Sequence, residues 1–479
     1  MTAAPSPLAR LRVLLVPAVL SATNFLAVFD GLVVTVALPA IQHDFHISQL
    51  DAQWLITGYT LPLAGLLLFG GRCGDRFGRR QILTAGLILF TVGLVLAGLS
   101  STLWLIIVAR VLQGAGAALA VPNSFAVISA MPDPRRRNWL FSAVAVAGGL
   151  GAAGGAIAGG LITQGLGWRY VFLLTAPVAV LAALAAARTL APGKAAEGPG
   201  RLNAVSAALA VAGLMLLVFS ITSIERTGPA SSSTLVSFVA SAAALAGYCV
   251  HERRSSARLV RPQLLHDRQF RTAVIGTPSQ VLAYDGMVFI CLLYLQHVRG
   301  YEPLTAGLAF SPLGLAVLLG SPVANRLLRT WRWTSVVLGA QVVCAIGLTI
   351  LAAAPREGAY LLFFLPSFIL LGLGSTVSVI AFNAAAGKTV LPEDQGAAYG
   401  LYETSKYLST ALVVAVLATV SAARIRAEAD TPTPSAYAAG YQLTFTIAAI
   451  GALAGGLLTA YLGHHNRKSA DRTSERVDA

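Results

Sequence analysis

Charge is scarce in this sequence. Only 11% of the 479 residues are Asp, Glu, Lys or Arg, while 56% are hydrophobic and the mean hydropathy is +0.72. A soluble domain rarely sustains such apolarity. Cysteine is scarce too. Cys73, Cys249, Cys291 and Cys344 lie singly in or beside apolar runs. None has metal-ligand spacing, so they read as small buried side chains. There is no phosphate-binding Gly-rich loop, no Gly-x-Ser-x-Gly elbow and no His/Asp/Glu cluster with ligand spacing. ATP-driven work, esterase-type chemistry and metal catalysis therefore lose their usual signatures. The reading is a protein without enzymatic activity, cofactor or metal.

What the chain does have is length without polarity. Apolar runs of about 20 residues recur from end to end, the length of a helix crossing a hydrocarbon core. An open strand or loop cannot cross, because lipid leaves its backbone groups unsatisfied. Fourteen such segments fall near 13–41, 52–71, 81–99, 102–130, 138–164, 168–190, 203–224, 233–250, 271–298, 304–325, 333–353, 359–382, 396–422 and 441–462. The fold class is an all-α polytopic membrane protein. The N-terminal run continues past any short signal core and reads as the first span.

The net charge of +14 is a matter of topology. With the N-terminus inside, and residues at the span ends counted with the adjoining loops, 26 of the 34 Lys and Arg fall in cytoplasmic loops and tails, six outside, and two, Arg110 and Lys406, deep within spans. Enrichment of Lys and Arg on the cytoplasmic side sets orientation. Both termini are thus expected in the cytoplasm, the partner of the basic surface is the lipid bilayer, and no nucleic acid is implied.

The loops repeat. Spans 1–6 and spans 9–14 each carry a basic loop after their second member, GRCGDRFGRR and ANRLLRTWRW. Spans 7 and 8 stand between the blocks, followed by the basic loop His251–Arg271. The simplest parse is a six-helix half over 1–190, a linker with two additional helices over 191–270, a second six-helix half over 271–462 and a cytoplasmic tail over 463–479. Transporters are commonly built from such repeats, with the substrate between them near the midplane.

Four motifs carry a resemblance. GGRCGDRFGRR matches Gly-x-x-x-Asp-Arg-x-Gly-Arg-Arg at Gly71, Asp75, Arg76, Gly78, Arg79 and Arg80. Span 1 holds FDGLVVTVALPAI, span 4 holds RVLQGAGAA, and span 5 holds GAAGGAIAGG with Gly151, Gly155, Gly159 and Gly160. Together they resemble the major facilitator superfamily, and in particular its fourteen-helix drug:proton antiporters. The span 5 motif departs from the antiporter pattern at Ala156, where that pattern has proline. The resemblance implies two six-helix halves with two extra helices inserted between them. It also implies alternating access and a cytoplasmic gating role for the 71–80 loop. On physical grounds Asp75 can accept from helix N-terminal amides or pair with Arg76, Arg79 or Arg80, while the arginines alone also serve topology.

Five ionisable residues lie inside spans: Asp30, Arg110, Asp285, Glu403 and Lys406. Each costs about 2.5–3.5 kcal/mol at the bilayer centre, which makes it a functional candidate. Counted from the outer helix ends at 1.5 Å per residue, Asp30 and Arg110 share a depth of roughly 12–15 Å. They make either a proton-coupling pair or a permanent structural one. Asp285, beside Tyr284 and Phe289, either contacts a cationic substrate, faces an aqueous cavity, carries a proton, or bonds as a neutral carboxyl in the scaffold. Glu403 and Lys406, three apart, can pair on one helix face; the pair is structural, or it is a cytoplasmic-side gate, or Glu403 is a second coupling acid. Asn24 and Gln113 join Tyr284, Asp285 and Phe289 as candidate cavity residues. The expected function is proton-coupled export of lipophilic, cationic drugs or antibiotics by a monomer in a bacterial plasma membrane, with small-molecule substrate and protons as partners. The alternatives are a dedicated exporter of one natural product, siderophore or lipid, and a non-transporting sensor or assembly factor on the same scaffold.

Overall fold

The computed structural model describes residues 7–129, 131, 133–190, 203–255, 264, 266–357, 360–388, 395–428 and 433–477. Among them there is no strand, and fourteen helices are long and apolar enough to cross a membrane. Their order and number are those expected from the apolar runs. Contacts group the chain into two units, Met1–Leu259 with Glu302–Leu308, and Val260–Tyr301 with Ala309–Ala479.

In the first unit, spans 1 to 8 are the helices Pro7–Phe45, Trp54–Phe77, Arg79–Gly98, Leu103–Ser129, Pro134–Gly165, Arg169–Thr189, Ala204–Thr227 and Ser232–Arg254. Side-chain caps satisfy the amides that a helix start leaves open. Asp133 accepts from the Arg135 amide at 2.9 Å, with Pro134 starting span 5, and the Asn203 and Ser231 side chains cap spans 7 and 8. Spans 2 and 3 meet at Gly78, whose φ of 98° is a left-handed conformation that a side chain would strain.

Small residues bring these helices together, as membrane packing requires. Span 2 lies so near span 4 that a Cβ on Gly70 would sit 2.1 Å from the Ala118 carbonyl oxygen. On span 5, Gly151, Gly155 and Gly159 face Phe25, Phe29 and Val33 of span 1, and Gly160 faces Pro303 and Leu304 of the Glu302–Leu308 segment. The helix continues unbroken through Ala156, where proline would have removed a backbone donor. Spans 7 and 8 form a hairpin stitched by hydroxyls: Ser220 donates to Ser237 at 2.8 Å and Ser241 to the Gly213 carbonyl at 2.8 Å. The hairpin packs on span 2, where Val211 fills the space beside Gly65.

The second unit holds spans 9 and 11 to 14, and span 10 from Ala309 onward. Spans 10 to 14 are the helices Pro303–Thr330, Trp333–Ala352, Tyr360–Lys388, Gln395–Glu428 and Pro434–Val477. Span 9 is not the single helix expected over 271–298. It consists of Arg268–Ala283, a break at Tyr284, Asp285–Leu293 and a π-helical turn Tyr294–Val298. Beyond the break, Gly286 faces Val413 and Leu417 of span 13, each of which a Cβ there would meet at 2.7 Å. The helix of span 14 runs through most of the expected tail 463–479. Parts of two expected loops lie outside the described residues, 256–263 and 265 in one and 429–432 in the other.

Gly70→Ala places a methyl against a backbone carbonyl that cannot rotate away. It is expected to lower stability by about 1–3 kcal/mol, read as a fall of several degrees in the melting temperature of the detergent-purified protein. An unchanged melting temperature contradicts the close span 2–span 4 approach.

Candidate functional site

Arg110 organises the first unit. It is 1% exposed and Asp30 is fully buried. Its Nη1 donates to Asp30 Oδ2 and to Gln113 Oε1, and its Nε donates to the Leu55 carbonyl at 2.7 Å. The guanidinium lies 4.5 Å from the Tyr59 ring centroid. Tyr59 in turn donates its hydroxyl to the Ala27 carbonyl at 3.1 Å, one turn before Asp30. Spans 1, 2 and 4 thus converge on one buried cation. Asp30 Oδ1 and Gln113 Nε2 are buried without a hydrogen-bond partner among the described residues.

The sequence reading put Asn24 beside this pair. The structure gives it another neighbour: its Nδ2 donates to the Val144 carbonyl of span 5 at 3.0 Å. Tyr59 and the Leu55 carbonyl were missed, as was the role of Asn123. Asn123 donates to the Gly70 carbonyl at 2.9 Å and to the Leu119 carbonyl at 2.7 Å. It fills the space beside Gly74, where a Cβ would meet its side-chain oxygen at 1.5 Å.

The stretch Gly71–Arg80, expected as a loop, is helical on both sides of Gly78, and it is built on that buckle. Arg79 Nη1 donates to the Ala126 carbonyl of span 4 at 2.7 Å, and its Nη2 pairs with Asp75 Oδ1 at 3.3 Å. Of the three arginines open to Asp75 on paper, Arg79 takes the bond. Arg76 lies over the Phe77 ring at 5.5 Å. Gly71 has open space on the span 4 side, with only Pro122 at 3.9 Å. The loop side chains of Asp75 and Arg79 are well exposed, so their pair has the small worth of a surface ion pair and can be broken and remade.

In the second unit, Asp285 starts the helix that follows the break at Tyr284. Thr410 of span 13 donates to Asp285 Oδ2 at 3.4 Å. One turn earlier on span 13, Lys406 Nζ pairs with Glu403 Oε2 at 2.5 Å and lies 4.9 Å from the Tyr407 ring centroid. Tyr284 is half-buried, whereas Phe289 is fully buried and belongs to the packed core of the unit. Among the described residues no group of three His, Cys, Asp or Glu is placed to hold a metal ion.

A profile of the Major Facilitator Superfamily matches residues 20–414. The chain belongs to the major facilitator superfamily. It is 34% identical to the puromycin resistance protein pur8 of Streptomyces alboniger over 452 residues, covering 93% of this chain and 89% of that one. It is also 34% identical to the cephamycin export protein CmcT of Amycolatopsis lactamdurans, covering 83% of each chain. With the lincomycin resistance protein of Streptomyces lincolnensis it shares 29% identity over 95% of this chain and 92% of that one. Among solved structures, an auto-inhibited POT family peptide transporter superposes with a TM-score of 0.68 at 15% identity, over 95% of this chain and 97% of that one. That likeness is one of fold. The protein is a multi-pass membrane protein of a transporter family.

Removing one member of a buried pair strands the other. Arg110→Ala is expected to cost about 3–5 kcal/mol, and Asp30→Asn in the same chain to restore much of it, because no unpaired charge then remains. Thermal unfolding of the two variants in detergent checks this. Equal destabilisation by the single and double variants contradicts the pairing.

Proposed function

We propose that this protein is a proton-coupled exporter of lipophilic, cationic antibiotics or drugs in a bacterial plasma membrane, with both termini cytoplasmic. The observation that carries the reading is Asp30: a fully buried carboxylate with one oxygen on Arg110 and the other, Oδ1, without a partner among the described residues. Protonation at Oδ1 neutralises the carboxyl and weakens its hold on Arg110. Loss of that proton restores the pair. A carboxyl whose two states differ in what they bind across three helices converts proton occupancy into a preference between two arrangements of those helices. Arg110, Gln113 and Tyr59 hold the pair in one of them. Asp285 and Glu403 supply two more acids within the membrane, with half-buried Tyr284 beside Asp285.

The names of the relatives support export of antibiotics. A second reading, a dedicated exporter of a single natural product, is favoured by the same names, since several of them specify one compound. The loop Gly71–Arg80 acts in this scheme as a clasp, fastened through Arg79 on the Ala126 carbonyl and released when the ends of spans 2 and 4 part.

The decisive experiment is accumulation of a fluorescent lipophilic cation in an efflux-deficient bacterial host, with and without a protonophore. The wild-type protein is expected to lower accumulation severalfold, and Asp30→Asn or the protonophore to abolish the effect. Persistence of efflux in Asp30→Asn rejects proton coupling through that residue. Absence of efflux in the wild type favours the dedicated exporter of a neutral or anionic compound. Asp75→Asn is expected to slow export while leaving membrane levels unchanged; full-rate export by that variant rejects the clasp.

A further inference from the structure

Packing leaves several buried polar atoms of the first unit unmet. Gln53, at the start of span 2, is fully buried, and both its Oε1 and its Nε2 are without a partner among the described residues. Asp30 Oδ1 and Gln113 Nε2, beside Arg110, are in the same condition, and so is Gln42 Oε1 near the end of span 1. A buried amide left dry on both atoms is costly, and ordered water is the usual remedy.

Span 2 joins these places. Its helical register begins at Gln53, whose carbonyl accepts from the Thr57 amide at 2.9 Å. Gln53, Thr57 and Thr60 stand at i, i+4 and i+7, on one face of the helix, and all three are buried. Arg110 fixes the depth of that face. Its Nε donates to the Leu55 carbonyl at 2.7 Å and its guanidinium lies on the Tyr59 ring, so Thr57, midway between them, is level with the pair. Gln53 is two residues before Leu55, about 3 Å of helix rise. With both termini cytoplasmic, the start of span 2 is its outer end. The turn Gln49–Ala52 that precedes it is capped by exposed Ser48. A polar face therefore runs from near the outer surface to the depth of Asp30.

We propose that Gln53 and Thr57 hold a file of water molecules that carries protons from the outer surface to Asp30 Oδ1. The inference rests on the proposed reading of Asp30 as the coupling carboxyl, and it names the route by which that carboxyl is loaded. A hydronium ion at the outer end gives up one proton and remains as water. Each water in the file gains one O–H bond on its outer side and breaks one on its inner side. The last proton forms an O–H bond with Asp30 Oδ1. Gln53 neither gains nor loses a proton: its Oε1 accepts from one water and its Nε2 donates to the next, which fixes their order. The Thr57 hydroxyl donates to the Gln53 carbonyl at 3.1 Å and keeps its lone pairs for a water. There is open space next to the carboxyl on span 1, where a Cβ on Gly31 would meet no atom within 4 Å.

The test follows the proton rather than the cargo. Full-length protein is reconstituted in liposomes with its outer end facing the bath. A flash-released proton in the bath is followed by the infrared band of the protonated Asp30 carboxyl, identified by its loss in Asp30→Asn. Gln53→Leu keeps the size of the side chain and removes both polar atoms; Thr57→Val does the same to the hydroxyl. Each is expected to slow the rise of the band by about tenfold or more while its final height stays that of the wild type. Gln53→Glu and Thr57→Ser, which keep groups that bond water, are expected to restore the rate. A side chain that only packs has no reason to change the rate and leave the height alone.

A wild-type rate in Gln53→Leu and in Thr57→Val overturns the inference while the Asp30 band, and with it the coupling carboxyl, stands. A melting temperature of Gln53→Leu above that of the wild type also overturns it, because it marks a dry amide. If Gln53→Leu does not reach the membrane, Thr57→Val decides alone. A wild type with no Asp30 band overturns both the route and the reading on which it rests.

Discussion

The first unit is arranged around one solvation problem. Arg110 cannot give up its charge, and it lies in a helix that crosses lipid. Its cost there is met by a carboxylate, an amide oxygen, a backbone carbonyl and an aromatic face. These come from three different spans, so satisfying one side chain fixes the register of all three. Small residues make the convergence possible. A Cβ added at Gly58 would lie 3.5 Å from the Arg110 Cβ, and one added at Gly114 would meet the Tyr59 carbonyl oxygen at 2.2 Å. The glycines of spans 2 and 4 and the polar groups around Arg110 are two parts of one arrangement: close approach without side chains, then hydrogen bonding across the gap.

Much of this was legible in the sequence, and the division follows the range of the interactions. Span number came from hydropathy alone, because lipid imposes a length on every crossing helix. The Glu403–Lys406 pair came from helical spacing, and the loop from a motif with a defined residue pattern. The Asp30–Arg110 meeting was reachable by counting depth along two helices. Leu55 was not, because a backbone carbonyl looks the same at every position. Tyr59 was hidden as one aromatic among apolar neighbours. Asn123 stood among several intramembrane amides, and only the gap at Gly74 shows which helix it serves. The contact of Thr410 with Asp285 spans 125 positions and has no local signature. Nor does the break at Tyr284, which has neither glycine nor proline at the site.

The two units solve the same problem differently. In the first, the cation is embedded and its partners surround it, so the pair can be disturbed only by changing the charge of Asp30. In the second, the cation is on a flexible lysine stem at the edge of its group, and its partner Glu403 is on the same helix. An i,i+3 pair on one helix ties no two helices together. It leaves span 13 free of a covalent-like link to span 9, whose bond to it through Thr410 is a neutral hydroxyl at 3.4 Å. The first unit thus uses its charges to bind helices to one another, and the second uses them to set a local field.

Span 1 is where these constraints meet motion. On one side it is held by the Asp30–Arg110 pair and by the Tyr59 hydroxyl on the Ala27 carbonyl. On the other it lies along Gly151, Gly155 and Gly159 of span 5, a stripe with no side chains, joined by the single described side-chain bond of Asn24 to Val144. A net hydrogen bond to a charged group contributes about 1.5–3 kcal/mol and a neutral one about 1 kcal/mol. With Asp30 ionised, the ties of the middle of span 1 to spans 2 and 4 outweigh its single described tie to span 5. Its outer end has a second charged tie, from Arg169 of span 6 to Asp44 at 2.8 Å, with the Trp168 indole donating to the same oxygen at 3.0 Å. The glycine face between these ties offers contact without interlocking side chains, and the unbroken helix of span 5 through Ala156 keeps that face continuous.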